Sequence, residues 1–357
     1  VGKKKPDLAI LLMGWVVSIP VFCDSGFVIL DPIRKSLADR TKTSRVTMTV
    51  ALSAGLYVSH VFIPPTPGPI AAANTLGIGN NLLLVIGLGV LVSIPALITG
   101  YLYAKRIGKT VQSTDEVEGY VETLETYEEI VAKFGKLPSG FAALAPILVP
   151  IILMAMSSIV SMASLTGIGA DLLLFFGNPV IALAVGMLFA IYLLKETNQF
   201  KSFHTIIDDT LKTVGPILFI TASGGVLGKV IAESGMVDYI TSRSTVLEVV
   251  GIFFPFLLAA ILKTAQGSST VAITTTAGIV APLMVAMGLN TPVLAALTVM
   301  AIGAGAMTVS HANDSYFWVV TNFGNMEVED GYKTQTMVTL LMGVVSIIFI
   351  FLLSLIF

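Results

Sequence analysis

Residues 261–273 read ILKTAQGSSTVAI, a lysine, an amide and a run of hydroxyls set between two apolar segments too short to cross a bilayer separately. That puts a polar tip at membrane depth. A charge near the bilayer centre costs ~2.5–3.5 kcal/mol even on lenient insertion scales, so Lys263 needs an aqueous cavity or a partner there. Broken backbone at that depth is tolerated only against protein or water. The stretch reads as half of a substrate site, and the rest of the chain as the machine around it.

Hydrophobic residues make up 55% of the 357, charged residues 12%, and mean hydropathy is +0.90. A soluble domain carries about one quarter charged residues. The composition therefore predicts an all-α polytopic membrane protein, with the lipid bilayer as a partner and no nucleic acid. A net charge of -2 says less than where the charges lie. Cys23 is the single cysteine, which excludes an internal disulfide. No phosphate-binding loop, zinc spacing or nucleophile elbow stands out, so no metal, cofactor or catalytic set is expected.

Working outward, residues 7–38 hold an apolar run broken by Pro20 and by Asp24-Ser25-Gly26, and a basic cluster of Arg34, Lys35, Arg40, Lys42 and Arg45 begins in this stretch and continues beyond it. Each limb is short of the ~20 residues of a spanning helix. A re-entrant hairpin returns the chain to the side of Lys3, Lys4 and Lys5, as the positive-inside rule asks. A broken helix is expected over 46–80, interrupted at Pro64-Pro65-Thr66-Pro67-Gly68-Pro69, where prolines remove donors. Residues 1–104 form a first repeat, and the acid-rich 105–138 a solvated cytoplasmic loop. Residues 139–213 hold two spans around a short polar turn, then an interfacial linker marked by Phe200, Phe203, Ile206, Ile207 and Leu211. Residues 214–357 form a second repeat, with a crossing over 214–232, a hairpin over 246–287, a broken helix over 292–326 and a last span over 337–357. Under this topology every Lys and Arg except Lys229, Arg243 and Lys263 is cytoplasmic.

The two halves share an order of parts: hairpin, polar tip with Gly, crossing, then Ser-His at a break. Ser59-His60-Val61 answers to Ser310-His311-Ala312. Because the hairpins enter from opposite sides, the repeats are inverted, and inverted repeats with broken helices place a site near the midplane. The second hairpin is preceded by a crossing with Gly224-Gly225 and Gly228-Lys229, and the first by none. The chain is thus expected to be N-terminally truncated, lacking roughly 80–100 residues, two or three spans at ~20 each with connections.

The ionisable groups at the breaks are Asp24, His60, Lys263, His311 and Asp314. Asp24, His60, His311 and Asp314 are candidates for proton coupling, since histidine titrates near neutral pH and desolvation raises a carboxylate. His311 and Asp314 stand three apart and can pair on a helix. The plainer roles are a His bonding a carbonyl to patch a broken helix, and Asp24 as a helix cap. Lys263 and the free N–H groups of the tips suit an anion. Ser25, Gly26, Asn74, Gln266, Gly267, Ser268, Ser269, Thr270 and Asn313 suit a polyhydroxylated ligand.

At these stretches the sequence resembles the gluconate permease family, the gluconate:proton symporters of the ion-transporter superfamily. The carrying residues are 19–28 (IPVFCDSGFV), 64–69 (PPTPGP), 263–272 (KTAQGSSTVA) and 310–315 (SHANDS). The resemblance implies a transport domain of two hairpins and two broken helices moving against a scaffold in a bacterial cytoplasmic membrane. It implies import of gluconate or a related sugar acid by proton symport, by alternating access of the elevator type, and not an enzyme. Relatives carry idonate, fructuronate, glycerate or D-serine, so a D-serine or glycerate carrier stays open. So do a sodium-coupled carboxylate transporter of the same fold and the oligomeric state, a homo-oligomer included. Thr66 stands where family members usually show His, which moves the proton role toward Asp24, His311 and Asp314.

Overall fold

A computed structural model of the chain describes residues 5–19, 21–114, 138–162, 165–212, 226, 230, 233, 234 and 251–357. Most of the expected cytoplasmic loop, nearly all of the 214–232 crossing and the start of the second hairpin lie outside these residues. The described residues are helical, with no strand among them. They fall into two units, one of residues 1–79, 84–121 and 220–357, the other of 80–83 and 122–219.

The helices are α1 (Pro6–Val17), α2 (Cys23–Thr41), α3 (Arg45–Phe62), α4 (Pro67–Thr75) and α5 (Leu82–Ile107), then α6 (Gly140–Met162), α7 (Ile168–Phe176) and α8 (Pro179–Glu196). α9 (Phe253–Gln266), α10 (Ser269–Val280), α11 (Pro292–Met307), α12 (Ser315–Phe323) and α13 (Met337–Ser354) complete the order. Local chemistry sets many of their starts. Pro6, Pro67 and Pro292 open α1, α4 and α11, where a missing N–H costs nothing. Ser44, Ser268, Thr291 and Asp314 accept a backbone N–H from the first turns of α3, α10, α11 and α12. α3 ends against Pro64-Pro65, a cis peptide bond.

In the first unit α1 packs on α3 and α9 packs on α11, while α3 and α11 pack on each other. The two outer crossings are close. A Cβ on Gly55 would stand 2.0 Å from the Leu11 carbonyl oxygen, and one on Gly305 would stand 2.1 Å from that of Phe256. α10 lies against α4, and α2 lies against α12. Three helical runs are long and apolar enough to cross a membrane among the described residues: Arg45–Thr75, Gly79–Ile107 and Val328–Ser354. The first is wholly buried in protein, so α3 and its continuation are the centre of the unit. Only 39% of the span window is covered in each of the other two, which fits lipid on one face.

Two expectations change in detail. The first polar tip is placed a turn earlier than the reading at Asp24-Ser25-Gly26: α1 ends at Val17, and those three residues already lie in the first turn of α2. Burial of Cys23 and Phe27 with Gly26 against the Leu56 side chain pulls the helix start forward. In the second unit, the turn between the two long helices contains the nine-residue α7, whose Leu172, Leu173, Leu174, Phe175 and Phe176 are too apolar for a polar turn. α6, α7 and α8 pack together there. Phe200, Ile206 and Leu211 of the linker are exposed on helical turns.

Candidate functional site

α9 ends at Gln266, and Gly267 with φ of +86° turns the chain into α10. Glycine is needed there twice over, for a left-handed conformation that L side chains resist and for contact, because a Cβ would stand 2.0 Å from the Asn313 carbonyl oxygen. The turn therefore rests directly on the break between α11 and α12. Lys263 lies in the last turn of α9 and is 0% exposed. Its ammonium pairs with Asp314 Oδ2 at 2.6 Å, donates to the Gly267 carbonyl and lies 5.8 Å from the centre of the Tyr57 ring.

Asp314 is 4% exposed. Its Oδ2 also accepts from Ser310 Oγ at 2.5 Å, and its Oδ1 accepts the Tyr316 N–H at 3.1 Å. The cation thus sits at a helix C-terminus and the anion at a helix N-terminus, each where the helix dipole favours it. Such a pair repays desolvation only when further hydrogen bonds support it, and here the Gly267 carbonyl, Ser310 Oγ and the Tyr316 N–H supply them.

Asp24, half-buried at the start of α2, accepts from Ser315 Oγ at 3.0 Å, one residue beyond Asp314. His60, 3% exposed, stacks on Tyr57 with ring centres 6.3 Å apart and meets Phe22 at 5.5 Å. Its Nδ1 is buried with no partner among the described residues. The cluster therefore draws on four places in the chain: the α1–α2 turn, α3, the α9–α10 turn and the α11–α12 break. Asp24, His60, Lys263 and Asp314 all belong to it.

His311 and Asn313 take another part. His311 Nε2 lies 3.2 Å from the Thr264 carbonyl oxygen, and Asn313 Nδ2 donates to the same oxygen at 2.7 Å. They satisfy an orphan carbonyl in the last turn of α9. The His311 ring is not bonded to Asp314, whose carboxylate is taken by Lys263, Ser310 and Tyr316. Ser268 caps α10 through the Val271 N–H at 3.3 Å, Ser269 and Thr270 are buried in its first turn, and Gln266 is exposed beside the turn. Ser25 is exposed and Gly26 buried at the start of α2. Asn74 stands apart, at the C-terminal end of α4 against Gly79.

Sequence reasoning missed Tyr57, whose ring meets both the Lys263 ammonium and the His60 ring and lies 5.1 Å from the Tyr316 ring. The available signal was its place three residues before His60, on the same helix face. It also missed the part that the last helical run plays at the α11–α12 break. Thr339 Oγ accepts the Ser310 N–H at 3.0 Å and Thr336 Oγ donates to the Ser310 carbonyl at 2.6 Å, beside a π-helical turn at Tyr332–Thr336. Single π turns in a helix frequently mark functional sites.

The GntP family permease profile matches residues 1–356. A permease of Haemophilus influenzae is 34% identical over 329 residues, 89% of this chain and 66% of that protein. The gluconate permease of Pseudomonas aeruginosa is 32% identical over 362 residues, 99% of this chain and 78% of that protein. The Gnt-II system L-idonate transporter of Escherichia coli is 30% identical over 353 residues, 97% of this chain and 77% of that protein. The chain thus spans about two thirds to four fifths of the length of these relatives. With a match from end to end and apolar helices around a buried polar cluster, the chain belongs to the GntP family of permeases and is a membrane protein.

Proposed function

We propose that the protein imports gluconate or a related sugar acid by proton symport across a bacterial cytoplasmic membrane, as a carrier and not as an enzyme. The substrate class is supported by family membership and by relatives named for gluconate and for L-idonate, both monoanions rich in hydroxyls. The exposed groups beside the cluster, Ser25, Gln266 and Asn313, suit such a ligand.

The observation that carries proton coupling is the charge balance of the cluster. Among the described residues it brings together two carboxylates, Asp24 and Asp314, and one buried cation, Lys263, already paired. With both carboxylates ionised the cluster is net negative and repels a sugar acid. A proton on Asp24 removes that repulsion, so proton and substrate favour each other's binding, the reciprocity that coupling requires.

An inverted repeat with two re-entrant hairpins is the architecture this reading uses. It is supported by the matching of parts: α1 on α3 beside α9 on α11, each with a close glycine contact, and each second hairpin limb on the far half of the other broken helix. Alternating access then moves the cluster between the two membrane faces. The test is uptake of labelled gluconate into proteoliposomes under an imposed inward proton gradient and, separately, a sodium gradient. Accumulation with protons alone supports the reading. Accumulation with sodium alone, or only downhill movement, overturns the coupling and leaves the family assignment untouched.

A further inference from the structure

The Lys263 ammonium is surrounded as a small cation would be. Its neighbours are a carboxylate oxygen of Asp314, the carbonyl of Gly267 just past the end of α9, and the face of the Tyr57 ring. The lysine is fully buried, so the ammonium is shielded from bulk solvent. Carbonyls at the ends of interrupted helices coordinate coupling cations in membrane carriers, and an aromatic face adds attraction for a cation. The ammonium reaches this place on a tether from the same helix, four residues before the carbonyl it bonds.

We propose that Asp314 Oδ2, the Gly267 carbonyl and the Tyr57 ring form a monovalent-cation cradle whose resident occupant is the Lys263 ammonium. The cradle accepts a free cation of sodium or methylammonium size once the lysine side chain is removed. A tethered occupant neutralises Asp314 and ties the α9–α10 turn to the α11–α12 break without depending on the salt outside. In the transport reading, on which this consequence rests, the wild-type protein has no use for sodium at this place.

The test reads the cradle and not transport, so its failure is separate from failure of the transport reading. Thermal unfolding of the purified protein in detergent is followed at pH 8 in choline, sodium and methylammonium chloride at equal ionic strength. Wild type, Lys263→Ala and the double variant Lys263→Ala/Asp314→Asn are compared. Wild type and double variant are expected to melt at the same temperature in all three salts. Lys263→Ala is expected to melt lowest in choline and to gain a saturable rise of several degrees in sodium or methylammonium, as a ligand of the folded state alone must give. Equal melting of Lys263→Ala in all three salts overturns the proposal. So does failure of Lys263→Ala to fold in every salt, whether or not the double variant folds, because an occupied cradle restores the lost pairing.

Discussion

Between α3 and α4 the chain breaks over Ile63, Pro64, Pro65 and Thr66, all buried, and between α11 and α12 it breaks over residues 308–314. In the first break two residues carry no N–H, and the Thr66 hydroxyl donates to the Ile63 carbonyl at 2.7 Å, so the backbone is largely satisfied from within. The second break borrows its partners from elsewhere. Ser310 leans on two threonines of the last helical run, and Asp314 on a lysine from α9. Thr66 precedes α4 as Asp314 precedes α12, a neutral residue in one place and a charged one in the other. A break closed by proline has little to exchange with a ligand. One held by hydrogen bonds and an ion pair can report what binds beside it.

If that contrast is right, the largest effect falls on the charged pair. Lys263→Met or Asp314→Asn alone is expected to cost ~3–5 kcal/mol by leaving a buried group unpaired, and the double variant far less than the sum. Thr66→Val, at the corresponding place, is expected to stay within ~1 kcal/mol, the scale of one hydrogen bond. Melting of the four variants in detergent measures the difference, and equal losses at the two breaks would erase it.

A second charged clasp lies away from both breaks. Arg34, 1% exposed, binds Asp31 at 2.6 Å, Thr49 at 2.8 Å and the Phe323 carbonyl at 2.9 Å, tying α2 to α3 and to the C-terminal end of α12. Arg34→Met is expected to cost ~3 kcal/mol, at the low end for a broken buried pair because Lys35 remains 3.5 Å from Asp31. Uptake kinetics should then show fewer active molecules with an unchanged apparent KM. A raised KM would place the clasp in the site.

The glycines sharpen the comparison further. Gly267→Ala meets backbone and a positive φ, and about 2 kcal/mol is expected from the conformation alone, with the contact to Asn313 adding to it. Gly26→Ala meets only the end of the Leu56 side chain, which can turn away. The ratio of uptake rates in the two variants measures how much tighter the second tip is built. Ser268→Ala removes the α10 cap, worth ~1 kcal/mol, and a correspondingly small drop in melting temperature is the expected reading.

Much of this contrast is legible in the residues. Pro64-Pro65 and the polar 310–315 stretch mark both breaks because proline and clustered polar groups act locally, and the Gly267 turn is marked by the same chemistry. Lys263, set between two apolar segments, is read from the sequence as needing a partner on energetic grounds alone. Which partner is a tertiary matter. Asp314 lies fifty-one residues further on, and only the packing of α9 on α11 brings them together. Asp24 shows the opposite failure: read locally it is a helix cap, yet it lies inside the first turn of α2, whose start has no side-chain cap, and its bond to Ser315 depends on α2 lying against α12.

The most direct test of the account is a proton count on substrate binding. Gluconate is added to the purified protein in weakly buffered detergent solution with a pH-sensitive dye, and wild type is compared with Asp24→Asn. The account predicts that wild type takes up protons as gluconate binds and that Asp24→Asn binds gluconate without doing so. Binding without proton uptake in wild type, or equal uptake in both proteins, would contradict it.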